Sequence, residues 1–192
     1  MRSEIYELKK RSDFWKETIA AAPLVYAHVY FDERRLPLFV NKDVLEIGAG
    51  DGAQYARVKT VCRSYALADI ALDIMARPVF ANVTTKLHLE NYAQDFKLRF
   101  DIIHFWRVMH HVLPDEVRDF AKWLHCHVRE TGLVCFDLPL STHSRDTYGY
   151  DGTVTVPHTL ESITTAFKPF FEPTAETDPT EPPFYCGRPL PV

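Results

Sequence analysis

The run Val44-Leu45-Glu46-Ile47-Gly48-Ala49-Gly50-Asp51-Gly52 constrains the fold of this chain more than any other segment. A short apolar run that ends in glycines reads as a buried parallel strand entering a tight turn. Glycine lets the backbone approach a ligand closely, and the helix that follows offers free amide N–H groups. The spacing also satisfies the nucleotide fingerprint G-x-G-x-x-A, with Ala53 in the last place. Asp69 stands 17 residues after Gly52, at the end of the next apolar run. A carboxylate there is placed to accept hydrogen bonds from both hydroxyls of a ribose. Glu46 narrows the ligand further. An acid beside a pyrophosphate is repelled, whereas a cationic or zwitterionic ligand is attracted. About 40 residues precede this strand, whereas dinucleotide domains often begin with it.

The rest of the chain alternates between two periodicities. Residues 54–62 predict a helix, 64–69 a strand, 70–80 a helix with Pro78 near its end, and 86–90 a third strand. Residues 100–106 form a nearly all-apolar fourth strand. Residues 114–129 predict a helix, with Pro114, Asp115 and Glu116 in its first turn and Val117, Phe120, Trp123, Leu124 and Val128 on one face. Gly132 is expected to end it, and 132–138 reads as a fifth strand. Such alternation implies an α/β fold, doubly wound around a mostly parallel sheet of six or seven strands, with 44–47 central. Residues 4–20 suit an amphipathic helix, and 24–40 helix or irregular structure. After Pro139 come a polar, turn-rich stretch, a helix over 158–167 and one or two final strands.

Composition sets the class. At 192 residues and 46 % hydrophobic, the chain reads as one domain with a sizeable core. Its parts are an N-terminal helical cap (1–40), a cofactor-binding core (41–140) and a substrate-side segment with the last strands (141–192). The net charge of −4 gives no reason to expect nucleic acid or anionic lipid as a partner. Four cysteines without a CxxC pair fit neither a zinc ribbon nor a disulfide framework. The N-terminus lacks the apolar core of a secretory signal, and no stretch approaches 18 apolar residues. These features predict a soluble, cytoplasmic protein with reduced thiols.

Taken as a set, the segments resemble the class I S-adenosylmethionine-dependent methyltransferases. Glu46 through Gly52 matches that family's first motif, (D/E)-x-G-x-G-x-G, at every fixed position. Asp69 is similar to its ribose-binding acid. FDIIHFWRVMHHVLPDE resembles the fourth motif, and RETGLVCFDLP the loop and strand after it, with Thr131 replacing a common glycine. Glu90 and Asn91 match the adenine-side position of the third motif, with Asp95 as an alternative. The likeness covers about residues 40–140. It implies a Rossmann-like methyltransferase sheet with an antiparallel last strand near 183–190. It also implies S-adenosyl-L-methionine as cofactor, with S-adenosyl-L-homocysteine as product. The cofactor set it points to is Glu46, Gly48, Ala49, Gly50, Gly52, Asp69, Ile70, Glu90, Asn91 and Arg107.

The acceptor side is read from segments expected at the carboxyl edge of the sheet. Tyr26, Tyr30, Arg145 and Tyr148 are candidate substrate contacts. Arg107 and Arg145 suit a carboxylate or phosphate. A hydroxyl acceptor requires a base, and His110, His111 and His143 are the candidates; an amine requires none. His104 reads as a core histidine. His125 and His127 face different sides of a helix and make a poor metal pair, and no metal is expected. The expected activity is methylation of a hydroxyl or amine on a small molecule of natural-product or saccharide type. Two rivals remain. One is a methyltransferase-like subunit that binds without catalysis. The other is an NAD-type oxidoreductase, which requires a Tyr-x-x-x-Lys pair or a substrate domain, neither of which is expected here. Oligomeric state is left open.

Overall fold

The computed structural model describes residues 33–50, 52–90, 92–138, 158–180 and 183–191. Among these residues there are seven strands: β1 (Asp43–Ile47), β2 (Ser64–Asp69), β3 (Thr85–His88), β4 (Phe100–Phe105), β5 (Val128–Asp137), β6 (Phe171–Pro173) and β7 (Phe184–Pro189). Their order is β3-β2-β1-β4-β5-β7-β6. β7 runs antiparallel to β5 and β6, and the other observed pairings are parallel. The mostly parallel α/β sheet and its reversed last strand are those the sequence predicts. The chain divides into two compact units, Met1–Asn91 and Tyr92–Val192.

In the first unit, Val44 to Ile47 and Ala66 to Asp69 are buried without alternation, as strands covered on both faces require. Helices α1 (Ala53–Val58) and α2 (Leu72–Met75) supply Tyr55, Ile74 and Met75 to a cluster with Leu67, Phe80 and Val83. The helix expected over 70–80 is broken. Arg77, before Pro78, sits at φ −63°, ψ 148°, and a 3-10 turn, Pro78–Phe80, follows. The proline ring disfavours the helical region for the residue before it.

In the second unit, helix α3 (Val117–His127) stops five residues before Gly132, and Val128 already belongs to β5. The expectation that Gly132 caps this helix is therefore corrected. A Cβ on Gly132 would lie 2.7 Å from the Asp101 carbonyl oxygen, where β4 shifts register between Phe100 and Ile102. The glycine admits a close strand contact. His127 ends the helix instead: its Nδ1–H donates to the Trp123 carbonyl, and its Nε2 accepts from the Phe96 N–H. Helix α4 (Leu160–Phe167) begins at Thr159, whose side chain forms a reciprocal capping box with Ser162. No helix among the described residues is long and apolar enough to cross a membrane.

Candidate functional site

The first unit gathers the glycine turn and two acids at the carboxyl ends of β1 and β2. Gly48, Gly50 and Gly52 all have positive φ, at 70°, 51° and 86°. Gly48 N–H bonds to the Ala68 carbonyl, and Gly52 N–H closes the turn on Ala49. The neighbours of the last two glycines give them different jobs. A Cβ on Gly52 would press on Val79 and Phe80 at 3.0–3.1 Å, so this glycine serves packing. Among the described residues a Cβ on Gly50 would meet only the Gly48 carbonyl, at 3.9 Å, so these residues leave its surface open. Arg77 Nη1 donates to the Gly50 carbonyl at 3.2 Å and holds the turn from outside.

Asp69 is buried, and its Oδ1 accepts from Ala71 N–H at 2.9 Å. Burial pushes its carboxyl up to about 6, against the hydrogen bonds from the Ala71, Ala49 and Ile70 amides. The bond to Ala49 ties this acid to the glycine turn itself. Glu46 is 2 % exposed, and its Oε2 accepts from the Tyr65 hydroxyl at 2.7 Å. Ile70 follows Asp69, and its carbonyl lies 3.1 Å from His88 Nε2, which donates to it. Glu90 is exposed, 3.2 Å from His88 Nδ1. Asp95, the alternative to Glu90, lies in the second unit, where Lys97 draws its carboxyl down to about 2.

An adenosyl sulfonium ligand fits what these residues offer. The open face of Gly50 admits a ligand against the backbone. In the first turn of α1, the buried Gln54 Oε1 accepts no hydrogen bond among the described residues. Two buried carboxylates suit ribose hydroxyls and a cation respectively.

The second unit holds Arg107, His110 and His111 in the segment after β4. Arg107 adopts φ 58° and donates its N–H to Asp137 Oδ1 at 2.6 Å. His110 is buried, and burial, helped by His111, Arg107 and His158, lowers its pKa to about 2. Its ring centroid lies 3.8 Å from that of His111. His104 is a core histidine as read: it accepts from Trp106 Nε1 at 3.1 Å, and burial lowers its pKa to about 3. His125 donates to the Leu190 carbonyl. No group of three or more His, Cys, Asp or Glu among the described residues is arranged to hold a metal ion.

Two residues escaped the sequence reading. Asp137, at the end of β5, is buried with its carboxyl pushed up to about 6, and its Oδ2 accepts no hydrogen bond among the described residues. The available signal was its place at a strand end, like that of Asp69. His158 donates Nε2–H to the Val112 carbonyl at 2.8 Å, across 46 residues, and no local pattern marks it. The Tyr-x-x-x-Lys spacing was also missed: Tyr6 and Lys10, outside the described residues, have it, and so do Tyr55 and Lys59. It serves packing here, with Tyr55 buried against Tyr65 and Phe80 and Lys59 Nζ 4.8 Å above the ring. Tyr26, Tyr30, Asn91, His143, Arg145 and Tyr148 lie outside the described residues.

A family model described as a methyltransferase domain matches residues 25–168. No curated protein sequence matches the chain. Among solved structures, a DhpI complex with S-adenosylhomocysteine is similar at TM-score 0.75 and 16 % identity, over 96 % of this chain and 98 % of that one. The Burkholderia thailandensis 1,6-didemethyltoxoflavin-N1-methyltransferase is similar at TM-score 0.71 and 14 % identity, over 95 % and 88 %. The sugar N-methyltransferase KedS8 from a Streptoalloteichus species gives TM-score 0.62 and 13 % identity, over 81 % and 82 %.

Proposed function

Because the chain belongs to the class I S-adenosylmethionine-dependent methyltransferase family, we propose that it methylates a hydroxyl or amine of a small molecule, of natural-product or saccharide type. The observation that carries the reading is the open backbone at Gly50 with buried Asp69 tied to the same turn and Glu46 on the strand leading into it. When bound, the cofactor supplies a methyl group already activated on a sulfonium, so the protein's part is positioning and exclusion of water. Asp69 would hold the ribose hydroxyls. Glu46 would face the cationic end, and Gly50 would let the ligand lie on the backbone.

The small-molecule acceptor is supported by the net charge of −4, which offers a polyanion no attraction. Similar structures named for toxoflavin and sugar N-methylation support the same class. For a hydroxyl acceptor, the burial that lowers the His110 pKa speaks against it as the base. Burial, with His111, Arg107 and His158 beside it, holds its pKa at about 2, so the imidazole resists taking a proton. The role passes to His111 or His143. An amine acceptor has only to arrive deprotonated.

Calorimetry with S-adenosylhomocysteine and NAD tests the cofactor half. Saturable one-site binding of the first and none of the second is expected; the reverse would return the oxidoreductase. Transfer of labelled methyl from S-adenosylmethionine to a panel of amino sugars and hydroxylated heterocycles then tests the acceptor class.

A further inference from the structure

We propose that Cys135 and Cys186 form an oxidation site, at which a hydroperoxide closes the two thiols into a cross-strand disulfide that pins the last strand, β7, to β5. The two residues are direct partners across the antiparallel β5–β7 pair, so their side chains leave the sheet on the same face. Their sulfurs lie 3.1 Å apart, and both are free thiols buried from solvent. The backbone hydrogen bonds show which kind of pair this is. Cys186 N–H donates to Thr177 Oγ1 at 3.1 Å, and its carbonyl accepts from Thr174 N–H at 2.8 Å, both on the β6 side of β7. Leu138 N–H donates to the Pro183 carbonyl at 2.7 Å, which fixes the alternation along β5 and β7. Cys135 and Cys186 therefore stand at a non-hydrogen-bonded site, where opposite Cα atoms come to about 4.5 Å. Disulfides span Cα separations of about 4.4–6.8 Å, so the bond closes by a sulfur movement of about 1 Å with the register unchanged.

The step balances with a peroxide as oxidant. One sulfur attacks the peroxide, the O–O bond breaks, and a sulfenic acid and one water form. The second sulfur attacks the sulfenic sulfur, and the displaced oxygen leaves with the remaining thiol proton as a second water. The sulfurs lose two electrons in all, and the peroxide gains them. A thiol already in contact captures the sulfenic acid before a second peroxide can. The oxidant reaches the pair from the sheet edge. β6 has three residues, and beyond Pro173 the half-buried Thr174 and Thr177 cover Cys186. Short edge segments open locally without global unfolding, so the pair should react more slowly than the exposed Cys126. The link joins residues 51 apart in sequence and so restricts the unfolded chain.

The test exposes the folded protein to hydrogen peroxide for timed intervals and alkylates the remaining thiols in denaturant. A digest is then mapped by mass spectrometry without reductant. The expected product is a peptide pair joined through Cys135 and Cys186, two hydrogen atoms lighter than its reduced parts, which dithiothreitol separates. Linked protein should melt about 4–16 °C higher. The rise should vanish on reduction and be absent in Cys186→Ala, a variant on which the peptide map does not depend. Recovery of both residues as alkylated thiols after Cys126 is fully oxidised would overturn the proposal. So would sulfinic acid at either position without a link, pairing of either with Cys62 or Cys126, or a linked protein that melts no higher.

Discussion

Lowering the pH should detach the cofactor before it unfolds the site, and Asp69 sets where. Its carboxyl titrates at about 6 in the free protein because burial opposes the charge more than three backbone amides support it. Ribose hydroxyls donate to the ionised form, so binding favours ionisation and draws the pKa down. If the bound value returns to the ordinary ~4, linkage makes the affinity nearly constant above pH 7 and about tenfold weaker at pH 5. The ligand's α-carboxyl is ionised across this window, and its α-amino group stays largely protonated between pH 5 and 7. Calorimetry with S-adenosylhomocysteine at pH 5.0, 6.0 and 7.5 measures the slope directly. Asp69→Asn keeps the shape and removes the titration. It should cost about 1–3 kcal/mol of binding at pH 7.5 and flatten the profile. A flat wild-type profile, or an Asn variant that keeps the slope, would refute the assignment of Asp69 to the ribose.

The two glycines should separate packing from binding. Gly52→Ala puts a Cβ 3.0 Å from Val79 at φ 86°, and should lower stability by about 1–3 kcal/mol in a denaturant melt. Gly50→Ala meets only the Gly48 carbonyl among the described residues, so it should cost only about 1 kcal/mol of stability while weakening S-adenosylhomocysteine at least about tenfold. Asp137→Asn should raise the melting temperature at pH 8 and leave it unchanged at pH 4. Ionising a carboxyl moved from 3.8 to about 6 costs about 3 kcal/mol, and that cost is absent where the acid is already neutral.

The glycine turn and Asp69 were legible in the sequence because their requirements are local. A positive φ favours glycine, and an acid that closes an apolar strand lies at the sheet edge wherever the strand goes. The break at Pro78 was equally local and was overlooked: Arg77 could not stay helical before it. Gly132 is a different case. As a helix stop and as a close contact with Asp101 it looks the same in one dimension, and only the carbonyl of a neighbouring strand decides. Gly50 and Gly52 likewise share one motif, and what lies against each separates them. Tyr65, Asp137 and His158 depend on partners 19, 30 and 46 residues away, a separation at which periodicity carries no information.

Asp69 and Asp137 show how function and stability pull apart in this fold. Each ends a strand, each is buried, and each accepts from backbone amides in a loop that carries candidate site residues. Both have pKa values raised above the unfolded value of 3.8, so the native state binds their protons more tightly than the unfolded chain does. Their contribution to stability is therefore fully present below about pH 4 and is lost as the pH rises through about 6. The proposed ribose contact of Asp69 has the opposite sign: it would need the ionised carboxylate and would strengthen as the pH rises through the same interval. Between pH 5 and 7 the site would thus gain ligand affinity where the fold loses stability. A selection for stability alone would replace Asp69 with a neutral residue. Its ionised form at neutral pH is sustained by the amides of Ala49, Ile70 and Ala71 against burial, and it is the form that the proposed ribose contact needs.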